Sequence, residues 1–446
     1  MLKRPMPDWL AYLYGEMTKP PHFLQLSSQQ KQPADHADEP QHSTPISHAS
    51  SNHAVKKTAP SSSHGTRTDN FIPVSEHRSE PPTRNPGKAN STARAGEPIK
   101  TASTRVPMRT TYTPIPQAVL DKFPFTVERR EQLPGILRVE TPDRKRYALK
   151  KTELSPQHVR FIHRALQYAQ KQGFTRFSRF ALTKKKGPVL MHDDKVYYAT
   201  EWIDGQHVNF ASTEHVAQTA YALAQFHEAT RGFTSEKYTP PDAFELFTMT
   251  QQRNRDLQKM LHRAEAKDDK DRFDSLFVSL KEQLLEDAAQ SLQLLQQSES
   301  VAFLSEDRAH AGLCHLDVIP GNCIYTPDHN VHLIDFELST FAPRALDVAH
   351  LLRRSLQLTN WNGDVAYACF LHYNAVKTMP KVEYALVSAL LYFPYRAWRL
   401  AHTRYHFFAD DAQIDELYAY KNQEARRHQF LTSLTEQVQG LSTAEV

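Results

Sequence analysis

The sequence predicts an α+β fold in two lobes, a small antiparallel β lobe followed by a larger, mainly helical lobe, behind a long disordered N-terminal tail. Three observations predict it. Composition changes sharply near Ile115, short β-forming segments separated by turn residues run from 123 to 202, and after Gly205 apolar residues recur at helical spacing. A strand-turn-strand at 322–335 interrupts the helices once.

Residues 1–115 of the 446 read as a tail. From about Pro20 the segment is rich in Ser, Thr, Pro, His and Gln, and between Leu24 and Thr111 its only aromatic is Phe71. Such a stretch buries too little apolar surface to offset its ordering entropy. A short amphipathic helix over 8–17, carrying Trp9, Leu10, Tyr12, Leu13 and Tyr14, is a candidate docking peptide or an unstructured terminus. The tail holds 14 Lys+Arg against 9 Asp+Glu, whereas the remaining residues hold 40 against 41. The basic balance therefore belongs to the tail. With no Lys/Arg cluster interleaved with aromatics, the chain is not read as a nucleic-acid binder. Three cysteines, Cys314, Cys323 and Cys369, read as reduced thiols of a protein made in the cytoplasm. No stretch suits a signal peptide, and no run nears the ~20 apolar residues of a membrane span.

The small lobe is expected over 116–205. Strands at 123–129, 135–140 and 146–151 are divided by Pro134-Gly135 and Pro142-Asp143. A helix from Pro156, a residue suited to a first turn, to Gln172 stops at Gly173, and strands at 188–191 and 195–202 follow. The large lobe, 206–446, opens with a helix capped at Ser212-Thr213 whose apolar face carries Val216, Ala220, Leu223 and His227. On that face His227 reads as a satisfied core histidine. Leu276, Leu280, Leu284, Leu292 and Leu295 form a second buried stripe.

The chemistry sits in His315-Leu316-Asp317-Val318-Ile319-Pro320-Gly321-Asn322 and Val331-His332-Leu333-Ile334-Asp335-Phe336-Glu337. Phosphoryl transfer needs a carboxylate near the attacking hydroxyl and oxygen ligands that hold Mg²⁺ on the phosphates. An Asp and an Asn five apart on one loop, with a second Asp ending the strand thirteen residues later, supply those groups.

These segments resemble the HGDxxxxN and IDFD/E motifs of the aminoglycoside phosphotransferase and choline kinase superfamily, which has a bilobal protein-kinase-like fold. The resemblance implies ATP and Mg²⁺ as cofactors, Asp317 as catalytic base, and Asn322 and Asp335 as metal residues. It places His315 in the catalytic loop as a brace, and Glu337 as either a second metal-side carboxylate or a solvated turn acid. Thr200-Glu201-Trp202-Ile203-Asp204-Gly205, Leu223-Ala224-Gln225-Phe226-His227 and Tyr392-Phe393-Pro394-Tyr395-Arg396-Ala397-Trp398-Arg399 further resemble the CotS family of bacterial spore coat proteins, over about residues 120–430. By that likeness 200–205 is the interlobe hinge, whose Glu201 and Ile203 backbones meet an adenine, and Lys150 in Tyr147-Ala148-Leu149-Lys150 is the phosphate-binding lysine.

Three features depart from the pattern. The helix 156–172 holds no acid to partner Lys150, Gly135 stands alone where a glycine-rich phosphate loop belongs, and Leu316 replaces a common Gly. Two readings follow. One is a spore-coat-associated kinase-like protein, a weak or degenerate phosphotransferase acting in coat assembly with other coat proteins, made in the mother-cell cytoplasm and moved to the coat. The other is an active kinase for a small-molecule hydroxyl on a sugar, amino alcohol or antibiotic. A protein kinase is disfavoured, because no A-P-E element follows Asp335.

Overall fold

The structure is a computed structural model and describes residues 114–440. The expected tail and its 8–17 helix lie outside the described residues, except at the boundary. Ile115 is buried with Val119, Leu120 and Phe123 against Leu137, Val139 and Leu149, so the packed body reaches back to Ile115.

The first lobe contains α1 (Gln117–Leu120), β1 (Arg129–Leu133), β2 (Ile136–Glu140), β3 (Arg146–Thr152), α2 (Pro156–Lys171), β4 (Phe180–Ala181), β5 (Leu190–His192) and β6 (Lys195–Glu201). The strands form one antiparallel sheet in the order β1-β2-β3-β6-β4, with β5 also on β6. Of the strand expected over 123–129, only Arg129 is in a strand, as the start of β1. Phe123 and Phe125 stack there instead, and Phe125 stacks on Tyr147 of β3 at 4.5 Å between ring centres. The true first strand, β1, is exposed along most of its length, so it lacks the apolar alternation that marks a strand in sequence. Pro134-Gly135 turns β1 into β2, with Gly135 at φ 76°, the left-handed second position of a type II turn.

Ser155 caps α2 by accepting from the His158 N–H, with Pro156 behind it. Although assigned to the small lobe from sequence, α2 is shared. Val159 packs with Val196 and Tyr198 of the sheet, whereas Phe161, Ile162, Ala165, Leu166 and Ala169 join the core of the helical lobe.

After a linker come β7 (Gln206–His207), α3 (Thr213–Thr230), α4 (Leu246–Glu265), α5 (Arg272–Ser279), α6 (Lys281–Leu295) and α7 (Ser298–Asp307). Next are β8 (Leu313–Cys314), a 3-10 turn (Pro320–Asn322), β9 (Cys323–Tyr325), β10 (Val331–Leu333) and β11 (Thr340–Phe341). The chain then continues as α8 (Ala345–Leu358), α9 (Gly363–Asn374), α10 (Lys381–Tyr392), α11 (Tyr395–His406), α12 (Ala412–Asn422) and α13 (Glu424–Gly440). Ser212 caps α3 as expected, and Val216, Ala220, Leu223 and His227 are all buried. The leucine stripe breaks where α5 gives way to α6 at Leu280. Leu294 is buried there, and Leu292 is only partly so.

Two ribbons carry the loops that matter. β9 lies between β10 and β7, and β11 pairs with β8. Gly205 enters β7 so closely that a Cβ there would collide with the Tyr325 carbonyl of β9. All three cysteines are buried and unpaired, and among the described residues no helix is long and apolar enough to cross a membrane.

Candidate functional site

The loop 315–322 leaves β8 and is held from behind by α8. Asp347, fully buried in the first turn of α8, accepts the N–H of His315 at 2.6 Å on Oδ2 and that of Leu316 at 2.8 Å on Oδ1. His227 Nε2 of α3 lies 2.9 Å from the same Oδ2, and His227 Nδ1 lies 2.6 Å from the Tyr373 hydroxyl of α9. Burial acts to raise the pKa of Asp347, but the His227 hydrogen bond and the nearby His227, His315 and His350 rings together outweigh it and hold the carboxyl below its usual range. The sequence reading missed Asp347. Its signal was an acid inside the apolar run Ala345-Leu346, Val348-Ala349, a place where a carboxylate must find buried donors.

Leu316 sits at φ 63°, the left-handed region where glycine is cheapest, which explains why the departure from Gly at this position matters. The two Asp347 bonds hold it there. The His315 ring lies between the two segments: its Nε2 donates to the Ile334 carbonyl at 2.9 Å and its Nδ1 accepts the Asp317 N–H at 3.3 Å, tying the loop to the end of β10.

Asn322 donates from Nδ2 to Asp317 Oδ2 at 2.7 Å and to the Asp317 carbonyl at 3.1 Å. Its amide oxygen is thereby left as its remaining ligand atom. Burial raises the Asp317 carboxyl; His315 opposes this and the neighbouring Asp335 reinforces it.

Asp335 follows β10 at φ 62°, ψ 66°. Its Oδ2 accepts from Lys150 Nζ at 2.7 Å, and its Oδ1 is buried with no hydrogen-bond partner. Lys150 also reaches Glu337 Oε1 at 3.5 Å, and the Tyr198 hydroxyl donates to that same oxygen at 2.7 Å. Lys150 therefore has acidic partners, but they come from the segment after β10 and not from α2. Burial opposes its charge, and the Asp335 and Glu337 carboxylates override burial and raise its pKa. Glu337, read from the sequence as either a second metal-side carboxylate or a solvated turn acid, lies half-buried against Lys150 and Tyr198, and burial raises its own pKa.

In the hinge, the Glu201 N–H donates to the Arg179 carbonyl at 2.7 Å and the Trp202 N–H donates to the Arg146 carbonyl at 2.9 Å. β6 ends at Glu201, so Trp202 and Ile203 lie just beyond the strand, at the start of the linker to β7.

The donor set is two carboxylates and an amide, one carboxylate oxygen is buried and uncommitted, and an ammonium lies beside them. Hard oxygen ligands of this kind suit Mg²⁺ and the phosphates it neutralises. A cavity of about 640 Å³ bounded by Arg231, Thr239, Arg308 and Phe341 shares no residue with this site.

The family model described as "Phosphotransferase enzyme family" matches residues 136–383. Spore coat protein S of Bacillus subtilis (strain 168) is 22% identical over 334 residues, covering 71% of this chain and 93% of that protein. The crystal structure of an aminoglycoside phosphotransferase from Alicyclobacillus acidocaldarius is 48% identical with a TM-score of 0.72, covering 76% of this chain and 100% of that one. Amicoumacin kinase in complex with AMP-PNP and Ca²⁺ is 15% identical, with a TM-score of 0.50 and coverage of 70% and 96%, a likeness of fold alone.

Proposed function

This chain belongs to the phosphotransferase enzyme family, and from that premise we propose that it transfers the γ-phosphoryl group of ATP to an alcohol, acting within the spore coat. The convergence of Asp317, Asn322, Asp335 and Lys150 carries the reading. Lys150 binds the phosphates, and the Glu201 carbonyl and Ile203 N–H meet the adenine edge. Asn322 and Asp335 hold Mg²⁺, which neutralises charge on the phosphates. Asp317 accepts the acceptor's proton as the hydroxyl oxygen bonds to the γ-phosphorus and the bond to the ADP oxygen breaks. A carboxyl raised by burial is the better proton acceptor near neutral pH. Glu337 and Tyr198 aim Lys150, taking the place of the missing acid on α2.

The coat assignment is supported by the likeness to spore coat protein S. The residues before 115 would tether the chain to other coat proteins. A second reading, a coat-assembly protein with little turnover, is favoured by the β1–β2 turn, where one glycine offers few backbone N–H groups to phosphates.

Calorimetry and ADP release separate the two. Asp335→Ala should abolish Mg-dependent ATP binding, whereas Asp317→Ala should keep binding and lose about 10²-fold or more in turnover. Wild-type protein that gives neither heat nor a melting shift with saturating Mg-ATP would leave only the assembly reading.

A further inference from the structure

Next to the metal loop, a different chemistry gathers. On α8, Asp347 is followed at i+3 and i+7 by His350 and Arg354, which places Arg354 on the same face about 10 Å along the axis from the residue that anchors the catalytic loop. The neighbouring Arg353 holds its guanidinium 4.2 Å from the centre of the Tyr395 ring at the start of α11. Arg253 of α4 lies 5.2 Å from that same ring and 5.4 Å from Trp398. Arg396 and Arg399 come from the following turn of α11, and Arg396 is paired with Glu416. Three helices thus bring four guanidinium groups, those of Arg253, Arg353, Arg354 and Arg399, within electrostatic reach of one tyrosine.

The electrostatics follow this arrangement. Burial would push the Tyr395 phenol up, yet Arg399, Arg253, Arg353 and Arg354 together pull it below its usual value. Arg354, itself exposed, lies within electrostatic reach of Asp317. Neither Arg353 nor Arg354 has a carboxylate within ion-pair distance among the described residues. Burial holds Arg353 down to about 9. A half-buried guanidinium such as that of Arg353, crowded by others and without a matching carboxylate, weakens the fold unless an anion joins it. Guanidinium groups spread on an aromatic face also keep their outer N–H groups aimed outward, the geometry that grips carboxylate and phosphate in two-point fashion.

We propose that the acceptor served by Asp317 is an anion, a hydroxyl-bearing molecule with a carboxylate or phosphate group that Arg353 and Arg354 hold on the Tyr395 side of the cleft. This specifies the substrate class of the phosphotransferase reading and rests on it. The charge excludes a polycationic aminoglycoside or a quaternary ammonium alcohol as the natural acceptor, since either would enter a field of its own sign. The transfer is the one described above, with the acceptor oxygen bonding to the γ-phosphorus, its proton passing to Asp317 and ADP leaving.

The test uses the full chain saturated with Mg-ADP and titrated with inorganic phosphate by calorimetry. It is followed by ADP release from Mg-ATP with gluconate, glycerol 3-phosphate, kanamycin and choline as acceptors. Phosphate should bind saturably, and Arg354→Gln should weaken it about tenfold, the value of one lost charge-assisted contact. Arg354→Lys should recover most of the affinity, and neither substitution should change Mg-ADP binding. Gluconate above glycerol 3-phosphate would name a carboxylate acceptor, and the reverse order a phosphorylated one. Turnover of kanamycin or choline above both anions would overturn the proposal. So would phosphate binding indifferent to Arg353→Gln and Arg354→Gln, or a loss confined to Mg-ADP affinity, which would assign these arginines to the nucleotide. Wild-type protein that fails to bind Mg-ADP defeats the phosphotransferase reading itself, and the phosphate titration without nucleotide then still decides whether the anion site exists.

Discussion

Asp347→Ala is the substitution that most directly tests how the catalytic loop is held. The fully buried carboxylate serves the N–H groups of His315 and Leu316 and the ring of His227 at 2.6 to 2.9 Å. Removing it strands these three groups away from water, and each unsatisfied buried donor costs about 1–3 kcal/mol. Because the groups share one site, the losses overlap, and the expected destabilisation is about 4 kcal/mol. Leu316 also loses its own N–H bond and the one from His315 beside it, which hold its left-handed backbone, so Asp317 should leave its position beside Asn322. Asp347→Asn keeps the shape but turns an amide N–H toward donors and should cost about 2 kcal/mol. Urea unfolding of the full chain followed by fluorescence measures both, read as a shift in midpoint at constant slope, with ADP release as the functional readout. The Asp347 carboxyl is held below its unfolded value of about 3.9, so its contribution is complete above that pH and is lost as pH falls through the folded pKa. An Asp347→Ala protein within 1 kcal/mol of wild type and turning over at the wild-type rate would refute the reasoning.

Three further outcomes are expected. Leu316→Gly relieves about 1 kcal/mol of left-handed strain but removes a buried leucine worth about 2–5 kcal/mol, so it should lower the unfolding midpoint in urea. Trp398, 1% exposed and donating to Asp256 at 3.0 Å, should cost about 3–5 kcal/mol when replaced by Ala; a stable variant that loses only ligand binding would place it at a surface instead. Burial lowers His158 to about 4, so the unfolded chain binds the extra proton between there and about 6.5. Stability should therefore fall as pH drops across that window, and His158→Phe should flatten the fall in a melting series taken from pH 7 to 4.5.

Much of the site was readable from the chain alone, because it rests on local order. Asp317 and Asn322 share one loop, and a strand with a tight turn carries the chain on to Asp335, so backbone geometry over twenty residues brings the carboxylates together. The two-lobe division was readable for the same reason: period-2 segments cut by Pro-Gly and Pro-Asp turns, then helices with buried faces and a serine cap. Segments without those patterns were misread. The exposed β1 had no apolar alternation to betray it, and the stacked Phe123 and Phe125 imitated a strand.

Everything that depended on residues distant in sequence was decided by the tertiary structure. The missing partner of Lys150 comes from Glu337 and Asp335, 187 and 185 positions away, because β3 faces the end of β10 across the cleft. Asp347 becomes the anchor of a loop thirty residues earlier, and Arg253, Arg353 and Arg399 meet at Tyr395, only when α4, α8 and α11 pack. The reason is physical: a sequence records which groups can bond and repel, but a buried charge takes its energy from whatever three-dimensional packing sets within a few ångströms of it.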